Sequence, residues 1–319
     1  MTISVNYHHI CSSEFIKAQW IYGLYRNSYW LFYKRNDIRI RGAAYFNLLA
    51  ILCQLARTNI ERAIDEFLQG SFHSFEVVSE SEFHFQMDSI VKEFELTTRR
   101  RFRHALELYR NMTHGNSFIS SYFLNWYIWV PPDRTYGTLP TSPVIVDNQC
   151  SCGTQSNCIE QGGVYDTNTG ELLDVVPGLL IGCSVVETVL RSNLQCLYDQ
   201  QCINMIQYYV RMNSITFQAL NASLLSPFLT NTTIEDIVNA LFVEEWSFNV
   251  SYSPFYRQCA PTYCIYSEDN RKQISFIFTR LLGLYGGLTV SLRFIVPFIT
   301  TLYFKIKNRY YSNQVTVFA

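Results

Sequence analysis

The strongest constraint on this chain lies near its end. Leu281 to Phe304 reads LLGLYGGLTVSLRFIVPFITTLYF, 24 residues with one charge, Arg293. A hydrocarbon core about 30 Å thick takes about 20 apolar residues as helix, so this run is long enough to cross with some tilt. Lys305, Lys307 and Arg309 follow at once, as positive charge does on the cytoplasmic side of a span. The run is therefore expected to be a transmembrane helix, because the core of a soluble domain rarely needs so long a charge-poor stretch.

Three features inside the run carry information. Gly283, Gly287 and Ser291 recur every four residues, a ridge of small residues that lets another helix backbone approach closely. Gly286 and Arg293 lie one heptad apart on the shoulder of that face. A guanidinium near the bilayer centre is costly, so Arg293 is expected to face protein or water. Pro297 cannot donate to the carbonyl of Arg293 and is expected to kink the helix there.

The rest of the chain points to an oxidising compartment. Ten cysteines accompany a near-zero net charge of -1, which gives no pull toward nucleic acid. Four N-glycosylation acceptors occur, at Asn111, Asn221, Asn231 and Asn249, all before the apolar run. Together they place the first part of the chain on the lumenal or extracellular side, with a short cytoplasmic tail. Met1 to His9 lacks the apolar segment of a signal peptide. An upstream signal or first span is therefore expected; the alternative is a tail-anchored protein with a cytosolic body.

Helical spacing dominates the first third. Ser12 or Ser13 caps a first helix; Asp37 caps a second that runs to Gly70; a third starts at Ser79, with Glu82 three residues on, and reaches Asn111. Arg99, Arg100, Arg101, Arg103 and His104 lie within helical reach of Glu93, Glu95 and Glu107, so they read as a solvated face rather than a nucleic-acid surface. Residues 118–130 are aromatic and β-branched, as a buried strand or a docking surface is. Pro131, Pro132, Pro140 and Pro143 mark a break before a cysteine-rich part that starts at Cys150. Asp166 to Glu171 reads as a hairpin turn, residues 187–212 as helix, and Thr232 or Thr233 as the cap of a helix running to Trp246.

The fold class expected is mainly α with a small disulfide-rich α+β module and one C-terminal transmembrane helix. Its parts are a helical ectodomain part over 1–130, a Pro-containing linker over 131–149 and a cysteine-rich part over 150–270. A juxtamembrane and transmembrane segment over 271–304 and a tail over 305–319 complete it. No nucleophile elbow, phosphate loop or H-E-x-x-H occurs. His8-His9-Ile-Cys11 is a possible donor set for metal, but adjacent histidines need no ligand role. No catalysis, cofactor or metal is expected.

A resemblance adds to these readings. The segments Ile10-Cys-Ser-Ser-Glu-Phe, Leu52-Cys-Gln-Leu, Cys150-Ser-Cys, Leu194-Gln-Cys-Leu-Tyr-Asp-Gln-Gln-Cys202 and Cys259-Ala-Pro-Thr-Tyr-Cys264 resemble a large invertebrate family of two-span membrane proteins with a cysteine-rich ectodomain. Gly283-Leu-Tyr-Gly-Gly-Leu-Thr-Val shares in it. The resemblance implies a first span upstream of this chain but no activity that carries over. Cys259 to Cys264 before a glycine-containing span is also similar to the degenerin/epithelial sodium channel superfamily. Against that, Leu288-Thr-Val-Ser stands where its filter motif is expected, and Arg293 is basic.

The expected bridges are Cys259–Cys264 and Cys196–Cys202, with two more among Cys150, Cys152, Cys158 and Cys183, neither joining Cys150 to Cys152. Cys11 and Cys53 can pair with each other or with upstream cysteines. The functional expectation is a membrane-anchored, glycosylated ectodomain protein acting as a receptor-like or assembly subunit in the plasma membrane. It would self-associate or meet a partner through its span. The alternative is an oligomeric channel subunit, and the ligand is unknown.

Overall fold

A computed structural model describes residues 1–25, 34–70, 78–120, 124–129, 140–212, 215–259 and 274–315. The chain divides into two compact units, Met1–Cys259 and Ala260–Ala319.

The first unit opens with a strand, β1 (Thr2–Tyr7), whose Ile3, Val5 and Tyr7 turn inward. Two short 3-10 turns, His9–Ser12 and Glu14–Ile16, lead into α1 (Ala18–Tyr25). The expected helix start at Ser12 or Ser13 is thus corrected to Ala18. The Ser13 hydroxyl donates back to the Ile10 carbonyl at 2.8 Å, closing the first turn instead of capping a helix. Helix α2 (Ile38–Gln69) starts on Asp37, whose Oδ1 accepts from the Arg39 N–H at 2.8 Å, and stops at Gly70 as expected. Its buried stripe runs through Phe46, Leu49, Leu52, Cys53, Ala56 and Ile60. Helix α3 (Glu80–Gly115) is capped by Ser79, which accepts from the Glu82 N–H, and continues four residues beyond Asn111.

Short strands dominate the middle of the unit: β2 (Trp126–Ile128), β3 (Thr141–Pro143), β4 (Ile145–Val146) and β5 (Cys150–Ser151). They pair as antiparallel β2–β3 and β4–β5. A longer hairpin joins β6 (Ile159–Tyr165) and β7 (Leu172–Gly182). It turns at Asp166, whose Oδ1 accepts from the N–H groups of Asn168 and Thr169, and at Gly170, which takes φ +71°. Asp37, fully buried, also accepts from the Tyr165 N–H at 3.0 Å and so ties α2 to this hairpin.

The expected continuous helix over 187–212 is broken in two. Helix α4 (Val185–Arg191) ends where the Ser192 hydroxyl accepts from the Leu180 N–H and the Asn193 N–H donates to Gly178. A 3-10 turn over Gln195–Tyr198 follows, and Asp199 caps α5 (Gln200–Tyr209). Helix α6 (Ile234–Asn239) is capped by Thr233 but stops well short of Trp246. Leu241 and Phe242 both take left-handed φ values, +60° and +56°, and β8 (Val243–Asn249) turns back to pair antiparallel with β1. Pairing with the N-terminal strand is what overrides the helical spacing. Helix α7 (Tyr252–Cys259) closes the unit.

One hydrophobic core spans most of it, drawing on α1, α2, β6, β7, α4, α5 and α6. Phe15, Trp20, Phe46 and Phe217 meet edge to face at its centre, with Trp20 at 4.8 to 5.5 Å from each of the others. A smaller cluster forms around Val144, Val146 and the cysteines of β5 and its neighbours.

In the second unit the described residues form α8 (Ile274–Val315), 42 residues of unbroken helix that carry on through Pro297. The stretch Ile277–Arg309 is long and apolar enough to cross a membrane, and none of its most apolar window is buried. Helix α2 also passes on length and composition, but half of its window is buried in the core, which is what a core helix does.

Candidate functional site

Among the described residues, four disulfides brace the first unit. Cys11–Cys53 pins the first 3-10 turn to α2, and Cys196–Cys202 links a turn to α5. Cys150–Cys158 and Cys152–Cys183 close the small cluster, so neither Cys150 nor Cys152 bonds to the other. The expected Cys259–Cys264 bridge lies outside the described residues.

The acceptor asparagines Asn111, Asn221, Asn231 and Asn249 are all exposed. They occupy α3, two loops and the end of β8. In α8, Gly283, Gly287 and Ser291 line up along one exposed face, and a Cβ at Gly283, Gly286 or Gly287 meets nothing within 4 Å. Hydroxyls in this helix turn inward: Ser291 donates to Gly287, Thr289 to Tyr285, and Thr301 to Pro297. Such back-bonds satisfy these hydroxyl protons within the helix. Arg293 sits on the exposed surface, one turn before Pro297.

The arginine-rich face of α3 is solvated and paired. Arg99 meets Glu95 and Arg103 meets Glu107, both at 3.8 Å, and Arg101 reaches Glu66 of α2 at 3.6 Å. Farther along the same helix, Arg110 does something spacing does not announce. Its Nε and one terminal nitrogen donate to the two oxygens of Glu187 at 2.6 and 2.8 Å, and the other terminal nitrogen donates to Glu235 at 2.6 Å. This fork holds α3 against α4 and α6. The bonds to Glu187 raise the affinity of Arg110 for its proton, against the opposing effect of burial. A cleft of about 430 Å³ beside it is lined by Arg110, His114, Asn125, Ser156 and Glu187.

A second polar cluster gathers where β1 leaves the sheet. The His8 N–H donates to Phe242 at 2.7 Å, and His8 Nδ1 accepts from the Ile10 N–H at 3.2 Å. His8 Nε2 lies 3.4 Å from the Tyr198 hydroxyl. The His9 ring stacks on His8 at 4.4 Å, and Glu244 Oε1 of β8 lies 3.9 Å from His9 Nδ1. Burial pushes His8 down to about 4 and lowers His9 against the opposing pull of Glu244; burial pushes Tyr198 up to about 12. A cleft of about 430 Å³ opens beside His9 and Tyr198 and is edged by Asn221, Phe228, Thr230 and Asn231. The sequence signals His8 and His9 but offers nothing that joins them to Glu244, more than two hundred residues on. Compared with protein-family models, curated proteins and solved structures, the chain shows no significant similarity to any of them.

Proposed function

We propose that this chain is a membrane-anchored, glycosylated ectodomain protein of the plasma membrane that works without catalysis as a receptor-like or assembly subunit. In this proposal α8 crosses the bilayer, the residues before it are extracellular and the C-terminus is cytoplasmic. The observation that carries it is α8 itself, a helix whose long apolar stretch holds the single charge of Arg293, without a buried residue in its apolar window and with the hydroxyls of Thr289, Ser291 and Thr301 bonded to its own backbone. A helix of 42 residues extends about 63 Å, enough to cross the core and stand clear on both sides. The ridge of Gly283, Gly287 and Ser291 suits close approach by a like or partner helix, with Gly286 and Arg293 beside the contact.

The test is crosslinking of the full chain in membranes. Gly287→Ile adds bulk on the ridge, whereas Leu292→Phe adds it on the far side of the helix. A several-fold lower yield of crosslinked oligomer for Gly287→Ile, with Leu292→Phe near wild type, is the expected result. Equal yields for both variants and wild type contradict assembly through this face.

A further inference from the structure

We infer that His8, His9 and Glu244 form a binding site for one divalent transition-metal ion of the zinc class. The three side chains present ligand atoms that all lie within 4.8 Å of one another. They come from the two strands of one sheet: His8 and His9 follow β1 directly, and Glu244 stands in β8, where the register shifts between Asn6 and Tyr7. The backbone bond from His8 to Phe242 holds the two ends together.

The cluster carries a desolvation cost that the protein itself does not offset. Among the described residues, His9 Nδ1, His9 Nε2 and Glu244 Oε1 are buried with no hydrogen-bond partner. The 3.9 Å between His9 and Glu244 is too long for a hydrogen bond. Leaving a buried polar atom without a partner costs its full desolvation penalty, more when it is charged. One nitrogen of His9 and one oxygen of Glu244, both unpartnered and converging with a nitrogen of His8, are what a cation would satisfy. Two imidazoles and one carboxylate are the donor set that favours zinc and its neighbours over calcium or magnesium, which prefer all-oxygen ligands.

The geometry ranks the ligands. In a tetrahedral zinc site with bonds of about 2.0–2.2 Å, ligand atoms stand about 3.4 Å apart, so binding draws this cluster inward by about 1 Å. His9 and the Oε1 of Glu244 give up no hydrogen bond in making that movement. His8 is more committed: because Nδ1 accepts from Ile10, its ring proton sits on Nε2 beside Tyr198. To ligate through Nε2 it shifts that proton to Nδ1 and gives up the Ile10 bond, with no net proton released. His9 and Glu244 are therefore the principal ligands and His8 the third. A fourth position, on the side of the cleft that His9 and Tyr198 line, is left for water.

The test uses the full chain in detergent micelles, stripped with a chelator and titrated with zinc and, separately, with cobalt(II). One saturable site per chain is expected, with visible absorption from cobalt held by nitrogen and oxygen and no thiolate-to-cobalt charge-transfer band. His9→Gln and Glu244→Gln are expected to weaken binding at least tenfold, while exposed His104→Gln leaves it unchanged. No saturable binding, a thiolate charge-transfer band, or variants that bind like wild type would each overturn the site. The cobalt spectrum of the unaltered chain keeps the test decisive if a variant fails to fold.

Discussion

Arg110 ties α3 to α4 and α6 through Glu187 and Glu235. Its partner Glu187 is nearly buried, at 5% side-chain exposure, so removing the guanidinium leaves that carboxylate only the longer contact with Arg191, at 3.6 Å. Arg110→Ala is expected to destabilise the first unit by about 3 kcal/mol in urea denaturation, a magnitude typical of breaking a buried pair. Arg103→Ala, which loses only a half-exposed pair with Glu107, is expected to cost less than about 0.5 kcal/mol. Equal effects would mean that the fork carries no special weight. His8 supplies a pH dependence of definite sign. Its pKa falls from 6.5 when exposed to about 4 when folded, so between those values the unfolded chain takes up a proton that the folded chain refuses. Stability present above pH 6.5 is therefore lost as the pH falls toward 4, by up to about 3 kcal/mol. Urea midpoints measured across that range with chelator present should show the loss, and His8→Gln should flatten it. An unchanged slope in the variant would assign the loss to other groups.

At the scale of elements, the bridges differ in what they constrain. Cys11–Cys53 closes a sequence separation of 42 and Cys196–Cys202 one of 6. On the chain-entropy picture, removing the first by paired Cys→Ser changes is expected to cost about 4 kcal/mol, against about 2 kcal/mol for the second. Denaturation of the two double variants checks the order, and a larger loss at Cys196–Cys202 would contradict it. The helices that the sequence makes plain are those whose ends carry local chemistry: Asp37 and Gly70 for α2, Ser79 with Glu82 for α3, Thr233 for α6. What it hides is set by distant partners. The end of α4 depends on Leu180 and Gly178 of β7, and the end of α6 on β8 finding β1. For the same reason His8 and His9 are visible in the sequence but their meeting with Glu244 is not, and Arg110 looks like one more arginine of a solvated helix. The ridge in α8 is legible because helical spacing alone puts its residues on one face.

At the scale of the whole molecule, a disulfide-braced unit and a long apolar helix share one chain. The central claim is that α8 crosses a bilayer with the first unit on the extracellular side. The most direct measurement is glycan mapping of the full chain made in animal cells, read by gel mobility before and after glycosidase. All four acceptor asparagines are exposed, so a glycosidase-sensitive shift is expected. It should shrink stepwise as Asn111, Asn221, Asn231 and Asn249 are changed to Gln, while the tail after Phe304 is digested by protease added to the cytosolic face. A band that glycosidase does not move, with the first unit digested from the cytosolic side, would contradict the claim and leave a tail-anchored protein.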